Sequence, residues 1–290
     1  MGSYSPTPGP EVLPPGTGTF SPPPPVRRRR PPWAAAPATY FLVAINCVVY
    51  IAMVLRGVSP VNPTTDQLMR WGADNAGSVL IDGEWVRIVT AMFVHGGFLH
   101  LATNMWCLWN LGLLAEPLMG SAGVLAVYIL TGAAGNLLST FKSWASFNGG
   151  WLSYHAAGGM DPAVMFPAGV GASGAVFGIA GALIVLLKSD RLPVPPLELK
   201  RLRKSVIYFA ALNLILGLSI NFGSSYLGSG LNIDNFAHLG GFSSGLLFAA
   251  PMIPRLGSPR PLFQTRLRIA VGMMVGVLVL FAFYLSKLPG

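Results

Sequence analysis

Charged side chains are scarce in this 290-residue sequence, where they make up only 10% of the residues. A soluble domain carries about 25%, so the deficit indicates a protein embedded in a membrane. Hydrophobic residues account for 52% of the chain. Several apolar runs reach about 20 residues, the length that a helix needs to cross the hydrocarbon core of a bilayer. The runs are continuous rather than alternating, which indicates membrane helices and excludes a β-barrel.

Cysteine is nearly absent, since the chain has only Cys47 and Cys107. Both lie inside apolar runs, so we interpret them as small buried hydrophobic residues and exclude a disulfide framework. The histidines are not arranged as H-E-x-x-H and have no nearby set of acidic ligands, which argues against a zinc site. The sequence therefore predicts no metal and no other cofactor.

Positive charge exceeds negative charge, with 19 lysine and arginine residues against 10 acidic residues. Basic residues at membrane boundaries set topology, so we predict no nucleic-acid partner from this excess. If the N-terminus is cytoplasmic, 14 of the 19 basic residues fall on the inner side and 5 on the outer side. This bias predicts a multi-pass membrane protein with its N-terminus in the cytoplasm. We predict the plasma membrane as its location.

The apolar segments predict an all-α membrane protein. The seven predicted spans are 38–55, 97–115, 121–141, 171–187, 205–222, 235–252 and 267–286. Residues 1–36 are rich in proline and arginine and cannot bury enough apolar surface to fold, so we predict a disordered cytoplasmic tail. Residues 37–255 are predicted to form a six-helix domain, and residues 256–290 a linker and the seventh helix.

Reactive polar side chains stand near the start of three predicted spans. Ser173 follows a glycine-rich run into the fourth span, His238 begins the sixth, and Asn104 lies early in the second. All three spans run from the outer to the inner face, so these side chains share one depth. Polar groups at membrane depth are costly and are interpreted as functional. We predict Ser173 as a nucleophile and His238 as its base, in a site that opens to the exterior.

The alternative for Ser173 is a packing role, because small residues let membrane helices approach closely. Gly241 and Gly245 likewise form a stripe of small residues on the His238 face of the sixth span. The two interpretations are compatible. Close packing of the sixth span on the fourth would bring Ser173 and His238 within hydrogen-bond reach.

His100 and Asn104 are four residues apart and therefore lie on one face of the second span. Neutral donors of this kind suit an oxyanion hole, together with the backbone amide of Ser173. The alternative role for His95 and His100 is metal binding. His95, near the mouth of the helix, is predicted to have a structural hydrogen-bonding role.

Four further residues are predicted to support the structure. Trp85 suits the membrane interface, and Arg87 ties the outer loop by hydrogen bonds or contacts lipid headgroups. Glu116 is predicted to be an acceptor that fixes a loop. Asp234 lies four residues before His238, so it either completes a Ser-His-Asp triad or caps the helix. We favour the cap and leave Asp234 outside the catalytic set.

In this order and on these spans, the residues resemble the rhomboid family of intramembrane serine proteases. The resemblance covers residues 85–255 and rests on Trp85-x-Arg87, His95-x4-His100-x3-Asn104, Glu116-x3-Gly120, Gly171-x-Ser173-Gly174 and Ala237-His238-x2-Gly241. It implies a six-helix rhomboid-like bundle, to which this chain adds one C-terminal transmembrane helix. It also implies that the long outer loop after the first span lies partly in the membrane.

The resemblance implies roles for individual residues. Ser173 and His238 form a catalytic dyad without an acidic third member, and His100 and Asn104 donate to the oxyanion. The residues that support the site are His95, Trp85, Arg87, Gly171, Gly174, Phe177 and Gly241. Family members often have a tyrosine at the position of Phe177, packed against the histidine. A phenylalanine ring can still stack there, but it has no hydroxyl.

The implied activity is that of a serine endopeptidase that cleaves transmembrane segments near the outer face through an acyl-enzyme. Its substrates are transmembrane proteins that enter sideways near the fifth span, and segment 222–234 is a movable cap. Two other classes stay open at this point: a non-enzymatic protein that binds client helices, and a transporter or proton channel with His238 in a relay. The natural substrates and the oligomeric state are left open.

Overall fold

Helices form nearly all of the regular structure. The computed structural model describes residues 36–146, 166–189, 192, 194–227, 233–255 and 259–288. In these ranges the only β pairing is an isolated bridge between Asp74 and Gly169. The helices of the described residues are α1 Pro37–Leu55, α2 Thr65–Arg70, α3 Ala76–Leu80, α4 Arg87–Thr90, α5 Phe98–Ser146, α6 Ser173–Leu186, α7 Pro196–Leu227, α8 Asn235–Ala249, a 3-10 turn Ala250–Arg255, and α9 Arg260–Leu285. The all-α prediction is confirmed.

Some predicted features fall outside the described residues. These are residues 1–35 of the tail, residues 228–232 of the cap segment, and residues 256–258 of the linker. The first part of the cap segment belongs to α7, which continues to Leu227. The predicted fifth span ended at residue 222 because the apolar run ends there, but the helix does not.

The predicted second and third spans form one helical segment, α5, that is divided at Gly120. The backbone of Gly120 has φ 74° and ψ 167°, which glycine adopts more readily than other residues. Glu116 fixes this junction, since its carboxylate accepts hydrogen bonds from the Ser121 hydroxyl at 2.6 Å and from the Ala38 and Thr39 amides at 2.9 and 2.8 Å. The predicted role of Glu116 as a loop-fixing acceptor is confirmed.

Four helices are long and apolar enough to cross a membrane. They are Pro37–Leu55, Phe98–Ser146, Asn235–Ile253 and Pro261–Leu285, and Ser173–Leu186 is a shorter apolar helix. Lipid-facing side chains are largely apolar, for example Leu247 and Leu280, which are 69% and 70% exposed. These helices support an integral membrane protein. The count of seven spans stays a prediction, because length and apolarity identify only four of the described segments.

Helix α6 lies at the centre of the bundle and packs mainly against α8 and α5. Most of its residues are buried, including Val176, Ile179 and Leu183. With 14 residues it is about 21 Å long at 1.5 Å per residue. A bilayer core is about 30 Å thick, so this helix alone cannot reach both surfaces. Its first residue, Ser173, can therefore lie below the membrane surface.

Glycines allow α8 to lie directly on α6. A Cβ atom added at Gly241 would come within 3.0 Å of the Gly174 carbonyl group, and one at Gly245 would come equally close to the carbonyl group of Gly178. Real Cβ atoms do not approach other atoms so closely, so only glycine fits at these positions. The predicted close packing of the sixth span on the fourth is confirmed.

Candidate functional site

Ser173 is the first residue of α6 and is half-buried, while most of the helix behind it is fully buried. The loop before it turns at Gly171, which has φ +114°, a conformation that side chains other than glycine rarely adopt. The Gly171 amide donates to the Ala91 carbonyl at 2.9 Å. This turn fixes the direction in which the chain enters α6, and so it places Ser173 at the N-terminal end of the helix.

His238 lies one turn into α8 and is only 6% exposed. Its imidazole stacks on the ring of Phe177, with ring centroids 4.4 Å apart and planes 15° apart. Phe177 and Ser173 are four residues apart on α6 and therefore share one face of that helix. The stack thus brings the imidazole to the face of α6 that carries Ser173.

The backbones of α6 and α8 also meet beside Ser173. A Cβ atom at Gly174 would lie 3.3 Å from the carbonyl oxygen of Ala237, the residue before His238. In the described part of the chain no hydrogen bond joins the Ser173 hydroxyl to the His238 ring, and the buried Nδ1 of His238 has no partner there. The structure therefore brings the two residues to adjacent helix turns but does not show their direct contact.

His100 faces the loop that leads into α6. The Gly96 amide donates to its Nδ1 at 3.2 Å, so Nδ1 is an acceptor and the proton of the neutral ring is on Nε2. A Cβ atom at Gly171 would lie 2.7 Å from both Nε2 and Cε1 of His100. The donor edge of this imidazole therefore lies against Gly171, two residues before Ser173.

Asn104 lies one turn further along α5 and approaches the same glycine. Its amide nitrogen would be 3.8 Å from a Cβ atom at Gly171, and it donates one hydrogen bond to the His100 carbonyl at 2.8 Å. A side-chain amide has two N–H donors, so one remains for another acceptor. The structure thus brings two neutral donors, from His100 and Asn104, to the turn that precedes Ser173.

His95 supports the ring of His100. It is completely buried, its ring meets that of His100 edge to face at 5.3 Å, and its Nδ1 lies 3.3 Å from the Phe93 carbonyl. Burial lowers the pKa of His95 to about 3, so the ring stays neutral at physiological pH. Within the described ranges, no group of three or more His, Cys, Asp and Glu side chains is arranged to hold a metal ion.

Arg87 and Trp85 stabilise the segment between α1 and α5. The Arg87 Nη1 donates to the carbonyls of Met69 and Ala73 at 2.8 and 3.0 Å, and its Nε pairs with Glu84. Of the two roles predicted for Arg87, the hydrogen-bonded tie is therefore the one observed. Trp85 is half-buried and packs against a small apolar cluster with Ile88. Both residues therefore stabilise the segment between α1 and α5.

Asp234 caps the helix that carries His238. Its carboxylate accepts from the Ala237 amide at 2.9 Å and from the Ser139 hydroxyl. It makes no hydrogen bond to the His238 ring, whose Nδ1 lacks a partner among the described residues. The preferred interpretation of Asp234 as a helix cap is confirmed, and the Ser-His-Asp triad is not formed.

Asp74 was missed by the sequence analysis. Its side chain is 4% exposed, and the Thr140 hydroxyl lies 3.2 and 3.1 Å from its two carboxyl oxygens. Its backbone pairs with Gly169 through two hydrogen bonds of 2.8 Å. Burial raises the pKa of Asp74 to about 7. The one available signal was an aspartate followed by a helix-capping residue, Asn75, and nothing local indicated a partner on α5.

A model of the Rhomboid domain family matches residues 82–255. Rhomboid protease GluP of Bacillus subtilis is 29% identical over 248 residues, which cover 85% of this chain and 40% of GluP. Rhomboid protease AarA of Providencia stuartii is 31% identical over 228 residues, 76% of this chain and 73% of AarA. RHOMBOID-like protein 1 of Arabidopsis thaliana is 32% identical over 189 residues, 64% of this chain and 39% of that protein. The match thus spans less than half of GluP and of RHOMBOID-like protein 1, and most of AarA.

Proposed function

This chain belongs to the rhomboid family, and we propose from that premise that it is a serine-type intramembrane endopeptidase, with Ser173 as nucleophile and His238 as general base. Two of its relatives are named as rhomboid proteases, which supports a hydrolase. The observation that carries the proposal is the stack of His238 on Phe177, one helical turn from Ser173 on the same face of α6.

The first step is proton transfer from the Ser173 hydroxyl to His238. A neutral imidazole is a competent base near pH 7, and the transfer requires a hydrogen bond between the two groups. Such bonds are often long before substrate binds. We propose that rotation of the Ser173 side chain makes this contact, because the stack on Phe177 holds the ring at the Ser173 face of α6. The stack on Phe177 limits the motion of the imidazole, which keeps it available for this contact.

The attack of Ser173 on a peptide carbonyl creates a negative oxygen that must be stabilised. The Nε2–H of His100 and the free N–H of Asn104 lie against Gly171. The Ser173 amide adds a third donor, because the first amides of a helix have no partner within the helix. One donor in an oxyanion hole is typically worth about 3 kcal/mol of barrier. These three donors are our candidates for the oxyanion hole, and water then releases the acyl-enzyme.

We further propose that the substrates are transmembrane segments of other membrane proteins, cut near the outer face. The excess of basic residues on one side supports a cytoplasmic N-terminus, with the segment 56–97 on the outer side. The plasma membrane is the proposed location. Segment 222–234 is the proposed cap over the site, and residues 256–290 supply the linker and additional helix of the proposed domain division.

Cleavage in a bilayer tests this function. The purified chain is reconstituted in liposomes with a transmembrane substrate that carries a fluorescent tag on its outer side, and tag release is followed. We expect release by the wild type and none by Ser173→Ala. Ser244→Ala is the matched control, because Ser244 is a buried serine of α8 whose hydroxyl donates to the Gly241 carbonyl of its own helix at 2.9 Å. Equal release by Ser173→Ala and the wild type would refute the proposal.

A further inference from the structure

Two carboxyl groups approach the same glycine in the loop that leads to Ser173. A Cβ atom at Gly169 would lie 3.7 Å from Oδ2 of Asp234 and 3.8 Å from Oδ2 of Asp74. One oxygen of each carboxyl group therefore lies within 4 Å of this Cβ position. Asp74 comes from the outer segment and Asp234 from the start of α8, so the two groups belong to different parts of the chain and meet only in the folded protein.

The side-chain hydrogen-bond donors around Asp74 are few for a buried anion, and Asp234 beside it is half-buried. Thr140 provides the only side-chain donor recorded for Asp74 in the described residues, and the neighbouring Ser139 donates to Asp234. A hydroxyl has a single proton to donate, so it cannot satisfy both oxygens of the Asp74 carboxylate at once. A buried carboxylate without enough donors favours its protonated form. A protonated Asp74 becomes a donor, and the Asp234 carboxylate, which approaches the same glycine, is a charged acceptor for it.

Asp74 and Asp234 anchor the two segments that carry Ser173 and His238. The Asp74 backbone pairs with Gly169 at 2.8 Å, and the Asn75 side chain donates to the Phe166 carbonyl at 2.7 Å. These contacts hold the loop that ends at Ser173. Asp234 caps α8, one turn before His238. Because Ser139 and Thr140 are consecutive in α5, a single turn of that helix anchors both carboxyl groups.

Resting on the function proposed above, we propose that Asp74 is a positioning residue. In its protonated form it donates a hydrogen bond towards Asp234 beside Gly169, and this bond holds the loop before Ser173 against the start of α8. Loss of the proton places two negative charges there, which drives the loop and the helix apart. The separation of Ser173 from His238 then increases and cleavage stops.

The charged and titratable groups that face Asp74 come from the outer segment, α5 and α8. On the outer segment the cation is Arg87, which donates to the Ala73 carbonyl and is already paired with Glu84. On α5 the facing groups are hydroxyls, and Lys142 lies over the Phe236 ring at 5.7 Å. On α8 the facing groups are Asp234 and His238. Burial raises the pKa of Asp74 to about 7, with Asp234 adding to the rise and Arg87 opposing it.

The sign of the effect follows from proton linkage. The pKa of Asp74 is raised by folding from 3.8 to about 7. Between these values the folded chain keeps a proton that the unfolded chain loses, so the stability contribution is complete below pH 3.8 and is lost as the pH rises through about 7. Activity that depends on the protonated form falls in the same direction, about tenfold for each pH unit well above the pKa.

The test compares pH profiles of cleavage for the purified full chain and two matched variants. Asp74→Asn retains an acceptor for Thr140 and a donor for Asp234, so it imitates the protonated form at every pH. Asp66→Asn is the control, because Asp66 is an exposed aspartate of the same outer segment that pairs with Arg70. We expect the alkaline loss of kcat in the wild type and in Asp66→Asn, and its absence in Asp74→Asn. Coincident alkaline limbs in the wild type and Asp74→Asn would overturn the proposal.

A second measurement does not depend on activity. The melting temperature of the chain, in a Ser173→Ala background, is expected to fall as the pH rises from 3.8 to about 7 and to level off above that value. Asp74→Asn is expected to remove this fall. If no variant cleaves but this difference is observed, the protease proposal fails while the Asp74 interaction is supported. A third variant, Thr140→Val, removes a donor that stabilises the Asp74 carboxylate and so raises the pKa of Asp74. The fall in melting temperature should therefore occur at higher pH in this variant. A shift to lower pH, or none, would contradict the proposal.

Discussion

Replacement of Gly241 by alanine perturbs the contact on which the proposed dyad depends. A Cβ atom there would lie 2.7 Å from the Gly174 carbonyl carbon and 3.1 Å from its Cα. Carbon atoms in comfortable contact are about 3.5–4.0 Å apart, so α8 must move away from α6 by about 1 Å. Both partners are helix backbone, which cannot turn aside as a flexible side chain can. Overpacking of this kind costs about 1–3 kcal/mol of stability.

The same displacement acts on catalysis, because His238 is three residues before Gly241 on α8. A misplacement of about 1 Å can cost about a hundredfold in rate. We therefore expect Gly241→Ala to reduce cleavage by about this factor, in chains that still fold and show a lowered melting temperature. The assay is tag release in liposomes, with the melting transition measured on the same preparation.

Gly276→Ala is the matched control for this prediction. It also adds one methyl group to a glycine of an apolar helix, but nothing lies within 4 Å of the Cβ position at Gly276 in α9. We expect its activity to equal that of the wild type and its stability to be equal or higher, because alanine favours a helix over glycine by about 1 kcal/mol. Equal activities in Gly241→Ala and Gly276→Ala would refute the reasoning, since the tight contact of α8 with α6 would then have no bearing on the site.

Three further predictions concern the supports of the site. Asn104→Ala removes a proposed oxyanion donor and should lower kcat about a hundredfold or more with little change in KM, and a change confined to KM would contradict that role. Phe177→Tyr should retain the stack on His238 and most activity, whereas Phe177→Ala should lose much of it at unchanged expression, and equal kinetics in the two variants would contradict a role for the ring. Glu116→Ala leaves the buried amides of Ala38 and Thr39 without their acceptor and should lower stability by about 3 kcal/mol, measured as a fall in melting temperature.

Features that depend on local spacing were predictable from the sequence. The helical period places Gly241 and Gly245 on the His238 face, so their tight packing against α6 follows from the pattern alone. His100 and Asn104 share a face for the same reason. A break between the second and third spans was predicted between residues 115 and 121, and the structure places the non-helical residue, Gly120, in this interval.

Features that depend on how distant segments dock could not be predicted. Thr140 and Asp74 are 66 residues apart in sequence, and their contact exists only because the outer segment lies on α5. The choice between a triad and a cap for Asp234 likewise depended on where its oxygens point, since both roles need the same spacing from His238. The extension of α7 to Leu227 was missed because hydropathy detects the apolar part of a helix and not its polar continuation.

The most direct test of the central claim is the rate at which a fluorophosphonate labels Ser173. Such a reagent reacts with a serine that a neighbouring base has activated, and intact mass with peptide mapping identifies the site. We predict one adduct per chain, on Ser173, and a labelling rate at least about a hundredfold lower in His238→Ala at an unchanged melting temperature. Equal labelling in the wild type and His238→Ala, or an adduct on a different serine, would contradict the account.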